Sequence, residues 1–251
     1  GISVGGANMS GTFTGSFDDE SGVISKVGSG TWTLSGATYP GDPATPFEIY
    51  LENGQIIWNS TLPAMPIEID GGTLNGTGST GDVLGTSGRL NAGNSPGCLT
   101  VASLTLASGF NFDQEIESSS ACSGYDKVIS TGAVDLGSGV ANFSLTLNAI
   151  NSVGTVYTVI EGTSVTGTFA GLADGTVVSA SNGVKLRINY TASTVTLTVV
   201  EVPVISSTGP TAGSTLPTTG SNVGDIVIVS LILIFLGFII VRSKRRRLQI
   251  V

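Results

Sequence analysis

Histidine is absent from all 251 residues. That excludes a Ser-His-Asp triad, a Cys-His nucleophile pair and any histidine-based zinc site. Cysteine is almost as scarce: Cys98 and Cys122 are the only two, too few to hold a metal without histidine. Charged residues make up only 11% of the chain, and cations are the scarcer sign. Residues 1–220 carry 17 Asp plus Glu against 5 Lys plus Arg, a difference of −12, within a whole-chain charge of −8. A body so poor in Lys and Arg, with no basic patch to neutralise a phosphate backbone, argues against nucleic acid as a partner. The acidity favours solubility and names no ligand.

Sustained helical periodicity is also missing from residues 1–202. Period-two alternation takes its place. Phe143, Leu145 and Leu147 alternate with Ser144 and Thr146. Val184, Leu186, Ile188 and Tyr190 alternate with Lys185, Arg187 and Asn189, and Val195, Leu197 and Val199 with Thr196 and Thr198. Leu99, Val101, Leu104 and Leu106 form another strand-like run. Gly, Asn and Ser turns bound each run, a pattern that predicts an all-β chain of short strands. Phrases of one shape recur early: Gly11-Thr12-Phe13-Thr14-Gly15, Gly30-Thr31-Trp32-Thr33-Leu34-Ser35-Gly36 and Gly72-Thr73-Leu74-Asn75-Gly76-Thr77-Gly78. Serial strand-and-turn units bury their inner faces by stacking on one another, so the N-terminal part reads as a β-solenoid with Trp32 and Trp58 in or over its core.

Four elements in order carry a resemblance. Gly28-Ser29-Gly30-Thr31-Trp32-Thr33-Leu34-Ser35-Gly36 resembles the autotransporter-associated β-strand repeat. Gly88-Arg89-Leu90-Asn91-Ala92-Gly93-Asn94-Ser95-Pro96-Gly97 resembles the element that follows such repeats. Gly124-Tyr125-Asp126-Lys127-Val128 and Gly167-Thr168-Phe169-Ala170-Gly171-Leu172 are similar to later elements of the same passenger region. Over residues 20–200 the resemblance implies a right-handed parallel β-helix with a sandwich-like C-terminal cap, and no activity.

The C-terminus departs from that pattern. Leu216-Pro217-Thr218-Thr219-Gly220 precedes a 16-residue apolar run, Ile226 to Val241, and then the basic residues Arg242, Lys244, Arg245, Arg246 and Arg247. This order resembles the LPxTG cell-wall sorting signal of bacterial surface proteins. The resemblance implies cleavage between Thr219 and Gly220 by a sortase-type transpeptidase and transfer of the Thr219 carbonyl to a wall amine. The basic tail fits the positive-inside bias. Sixteen residues make about 24 Å of helix against a hydrocarbon core of about 30 Å, and counting from Val223 gives 19 residues including Asp225. The expected organisation is β-solenoid repeats over 1–97, a β-rich cap over 98–202, a flexible linker with the sorting motif over 203–222, one transmembrane helix over 223–241 and a basic cytoplasmic tail over 242–251. Gly1 opens a turn-rich polar segment without the features of a signal peptide, and the expectation is a C-terminal portion of a longer exported chain.

Export favours a disulfide between Cys98 and Cys122. The densest acidic segment, Asp113, Glu115 and Glu117, places three carboxylates on one face of a strand. It reads as a solvated strand face, with oxygen ligation of Ca²⁺ as the one weak metal candidate. No catalytic residue and no cofactor is expected. Lys26, Lys127 and Lys185 are the body's lysines, and no spacing around them supports an isopeptide bond. The expected function is that of a wall-anchored surface protein, an adhesin or display stalk. Its expected partners are the transpeptidase, peptidoglycan, the membrane before processing and a host-cell or polysaccharide ligand. The alternatives are a wall-tethered carbohydrate-active enzyme with its catalytic part upstream, or an uncleaved single-pass membrane protein.

Overall fold

The computed structural model describes residues 1–18, 21–149 and 151–203. Every regular element in them is a strand. The first coils contain β1 (Ile2–Val4), β2 (Gly11–Phe13), β3 (Gly22–Lys26), β4 (Thr31–Ser35), β5 (Phe47–Leu51), β6 (Gln55–Asn59) and β7 (Thr61–Leu62). Then follow β8 (Ile67–Asn75), β9 (Ser79–Thr80), β10 (Val83–Asn91), β11 (Cys98–Val101), β12 (Leu104–Leu106), β13 (Asn111–Ile116) and β14 (Lys127–Ser130). The last are β15 (Ala133–Ser138), β16 (Asn142–Leu147), β17 (Val156–Glu161), β18 (Ser164–Thr168), β19 (Val177–Ser179), β20 (Lys185–Tyr190) and β21 (Thr194–Glu201).

The strands stack in three parallel columns that follow chain order, a β-helix-like winding. One column runs β1-β3-β5-β8-β10-β12-β15-β18. A second runs β2-β4-β6 and onward through β8, β10, β13 and β16. The long strands β8 and β10 serve both columns: Ile67 to Ile69 pair with β5, and Thr73 to Asn75 pair with β6. The third column holds β7, β9, β11, β14 and β17.

Alternation converts directly into a core. In register, Ile2, Ile24, Ile49, Ile67, Val83, Leu104, Val134 and Val165 form one aliphatic ladder. Its middle members are almost fully buried. Trp32, Ile56, Leu74, Leu90, Phe112 and Phe143 form a second ladder. Each rung stacks a like side chain on the next, so burial grows with each coil. Lys26 takes the rung that Leu51 and Ile69 fill in later coils. Its buried ammonium donates to the carbonyls of Val27, Gly28 and Asn53 at 2.9, 2.8 and 3.1 Å, and burial lowers its pKa.

The bend between columns is made by glycine. Gly28, Gly54 and Gly72 have φ of 69, 72 and 64° and stack at one corner. A Cβ on Gly54 would lie 2.4 Å from the Gly28 carbonyl oxygen, and one on Gly72 would lie 2.6 Å from that of Gly54. Positive φ and close backbone approach both require a missing side chain here.

Two expectations about the fold need correcting. Residues 98–202 do not form a sandwich-like cap. The parallel winding crosses residue 97 unbroken and continues to β18, because its inward aliphatic rungs stay in register. Among the strand pairs of the described residues, only β17–β21, β20–β21 and β19–β20 are antiparallel, a meander that extends the third column. The second correction concerns the transmembrane helix. Among the described residues no helix is long and apolar enough to cross a membrane. The expected span, 223–241, lies outside the described residues, which form an all-β, parallel and β-helix-like fold.

Candidate functional site

The sorting motif Leu216 to Gly220 and the basic residues Arg242, Lys244, Arg245, Arg246 and Arg247 lie outside the described residues. The remaining predicted site residues come from β11, β13 and the loop that leads into β14.

Cys98 and Cys122 are joined in a disulfide with their Cα atoms 4.7 Å apart. Cys98 opens β11, and Cys122 lies in the loop between β13 and β14, at φ 65°. The same loop is held from inside. Asp126, 1% exposed, accepts the Gly97 N–H at 2.8 Å on one carboxylate oxygen and the Glu115 N–H at 3.2 Å on the other. Gln114 Nε2 donates to the Asp126 carbonyl at 2.8 Å. Burial pushes the Asp126 carboxyl up to about 7, opposed by the two backbone donors and assisted by the nearby Glu115 charge. The Asn94-Ser95-Pro96-Gly97 and Gly124-Tyr125-Asp126 elements, separate in sequence, thus meet at one clasp. Nothing in the spacing of Asp126 marked it for this role.

The acidic segment divides. On β13 burial alternates residue by residue, with Asp113 and Glu115 outward and Phe112, Gln114 and Ile116 inward. Asp113 forms an ion pair with Arg89 on β10. Glu117 lies past the strand end, where it accepts from Asn148 Nδ2 at 2.7 Å. Among the described residues no three His, Cys, Asp or Glu side chains form a group able to hold a metal ion.

The outer face around Asp113 is polar and ordered in rows. Arg89, Asn111 and Asn142 share one row, and Asn91, Asp113 and Ser144 the next. Glu115 and Thr146 form a third row. Sequence reading singled out Asp113 and Glu115 but missed Arg89 and Asn91. The missing information is strand register, which no local pattern on β10 encodes.

The three described lysines make non-covalent contacts. Lys26 binds carbonyls, Lys127 pairs with Glu161 and Lys185 with Glu201. Trp32 and Trp58 are both buried, and Trp58 Nε1 donates to the Ser79 carbonyl at 2.8 Å, so both act in the core. Neither a known protein family nor a curated protein matches this sequence.

Proposed function

We propose that this chain is a bacterial cell-surface protein joined covalently to the wall through Thr219. The observation that carries the reading is the order of C-terminal elements: Leu216-Pro217-Thr218-Thr219-Gly220, the apolar run and the basic residues at 242–247. In this reading the chain is the substrate of a sortase-type transpeptidase and no catalyst itself. The segment Pro203 to Thr215 is rich in Pro, Ser, Thr and Gly, a composition suited to a tether ahead of the motif.

Two features of the body support the reading. A disulfide suits an oxidising extracellular setting. Because the columns follow chain order, the winding runs one way from β1 to β18, and the tether leaves after β21. A one-way winding of repeated coils suits a stalk or adhesin.

Mass spectrometry of wall-digest fragments tests the proposal. The expected C-terminal residue is Thr219, bearing a wall-derived amine, and Thr219→Ala abolishes that linkage. A wall-fraction peptide intact through Val251, or unchanged linkage in the variant, refutes it.

A further inference from the structure

Three buried side-chain oxygens among the described residues accept no hydrogen bond: Asn91 Oδ1, Asp113 Oδ1 and Gln114 Oε1. Gln114 faces inward on β13, whereas Asn91 and Asp113 line one pocket of about 260 Å³ on the outer face of β10, β13 and β16, together with Arg89, Glu115 and Ser144. The neighbouring row is different. There Asn142 Nδ2 donates to Asn111 Oδ1 at 3.3 Å, and Asn111 Nδ2 donates to the Gly88 carbonyl at 3.1 Å. Equivalent amides one row away satisfy one another, whereas Asn91 and Asp113 leave acceptor oxygens without donors.

Buried acceptors without donors call for a ligand that supplies them. We infer that this pocket binds a saccharide ring. Small side-chain rotations bring the free oxygens of Asn91 and Asp113 to neighbouring hydroxyls on such a ring, which also donate to the Glu115 carboxylate, and hydrogen bonds to a carboxylate are the stronger kind. Ser144 and Arg89 supply donors for the ring's own oxygens. Arg89 uses one guanidinium nitrogen on Asp113 and carries further N–H groups. A metal ion is the poorer fit. Asp113 already faces the Arg89 cation on its other oxygen, so an added cation would sit against a full positive charge. The pocket residues lie mainly on strands in register with one another, so little order has to be gained on binding.

The inference extends the surface-protein reading by naming a ligand class, and it stands apart from anchoring. Its test reads binding in solution rather than wall linkage, so each can fail alone. Saturation-transfer NMR on the purified full chain, with glucose, galactose, mannose and N-acetylglucosamine as probes and CaCl₂ in a parallel titration, decides it. The expected result is transfer to at least one sugar, weakened about tenfold or more in both Asn91→Ala and Glu115→Gln. Glu201→Gln, which removes an ion pair on another strand, keeps the wild-type signal. Circular dichroism confirms that both pocket variants remain folded. Absence of transfer to all four sugars, equal transfer in the two pocket variants, or stabilisation by Ca²⁺ with the sugars inert overturns the inference.

Discussion

Asp126 and Gly97 are 29 positions apart in the chain, yet the Asp126 carboxylate accepts the Gly97 N–H at 2.8 Å in a buried setting. The bond fastens the turn after β10 to the start of β14, directly beside the disulfide. A carboxyl group in this position is both a fastener and a titrating group.

Its titration sets a pH dependence. The Asp126 carboxyl moves from an ordinary 3.8 to about 7 in the folded chain, chiefly through burial. Below the lower value it is neutral in both states and its contribution is complete. Between the two values the folded chain binds more protons than the unfolded one, so stability falls as pH rises, and above about 7 the loss is complete. Urea melts across this range should show wild type losing stability relative to Asp126→Asn from about 4 to about 7, then running parallel to it. A constant difference between the two proteins over that window would count against a buried titrating Asp126.

Reducing the disulfide should be costly. Cys98 and Cys122, separated by 24 positions, close a loop whose constraint is worth about 3.5 kcal/mol in the chain-entropy model. A Cys98→Ala, Cys122→Ala double variant should unfold at lower urea concentration and become insensitive to added reductant. Equal midpoints for oxidised and reduced wild type would show that Asp126 and Gln114 hold the loop unaided.

The glycine corner separates two costs. Gly72 and Gly36 both have positive φ, 64 and 73°, but only Gly72 faces a carbonyl oxygen that a Cβ would approach to 2.6 Å. Gly36 has nothing within 4 Å of the added atom. Gly36→Ala should lose on the order of 1 kcal/mol from backbone strain, and Gly72→Ala clearly more. Equilibrium unfolding of the two variants reads the difference, and equal losses would mean that the corner stacking is not under close contact.

The aliphatic ladder should be sensitive to truncation in its middle. Ile49 is fully buried between Ile24 and Ile67, so Ile49→Ala should cost about 2–5 kcal/mol. Val23, 39% exposed on the outer face of the adjacent strand, should tolerate Ala within about 0.5 kcal/mol. Comparable losses at the two positions would contradict the inward assignment of the Ile49 row.

The all-β class, the solenoid character and the short strands were legible because alternation is a local property. Phe143 and Leu145 alternate with Ser144 whatever the rest of the chain does, and glycine at a bend declares itself by its need for positive φ. The disulfide was legible for another reason: two cysteines leave a single possible pairing. The sandwich-like cap was misjudged because the alternation of β16 and of β20 looks the same, although one strand pairs parallel and the other antiparallel. Period two does not encode the direction of a partner strand.

By itself the sequence determined the composition of the core, the absence of histidine chemistry, the acidity of the body and the C-terminal motif order. Only the tertiary structure decided that Asn91 lies beside Asp113, that Glu117 leaves its acidic neighbours for Asn148, and that Asp126 closes on Gly97. The physical reason is register. Each coil must place its apolar side chains over those of the coil before, and the turn lengths needed to do so choose which outward polar groups become neighbours.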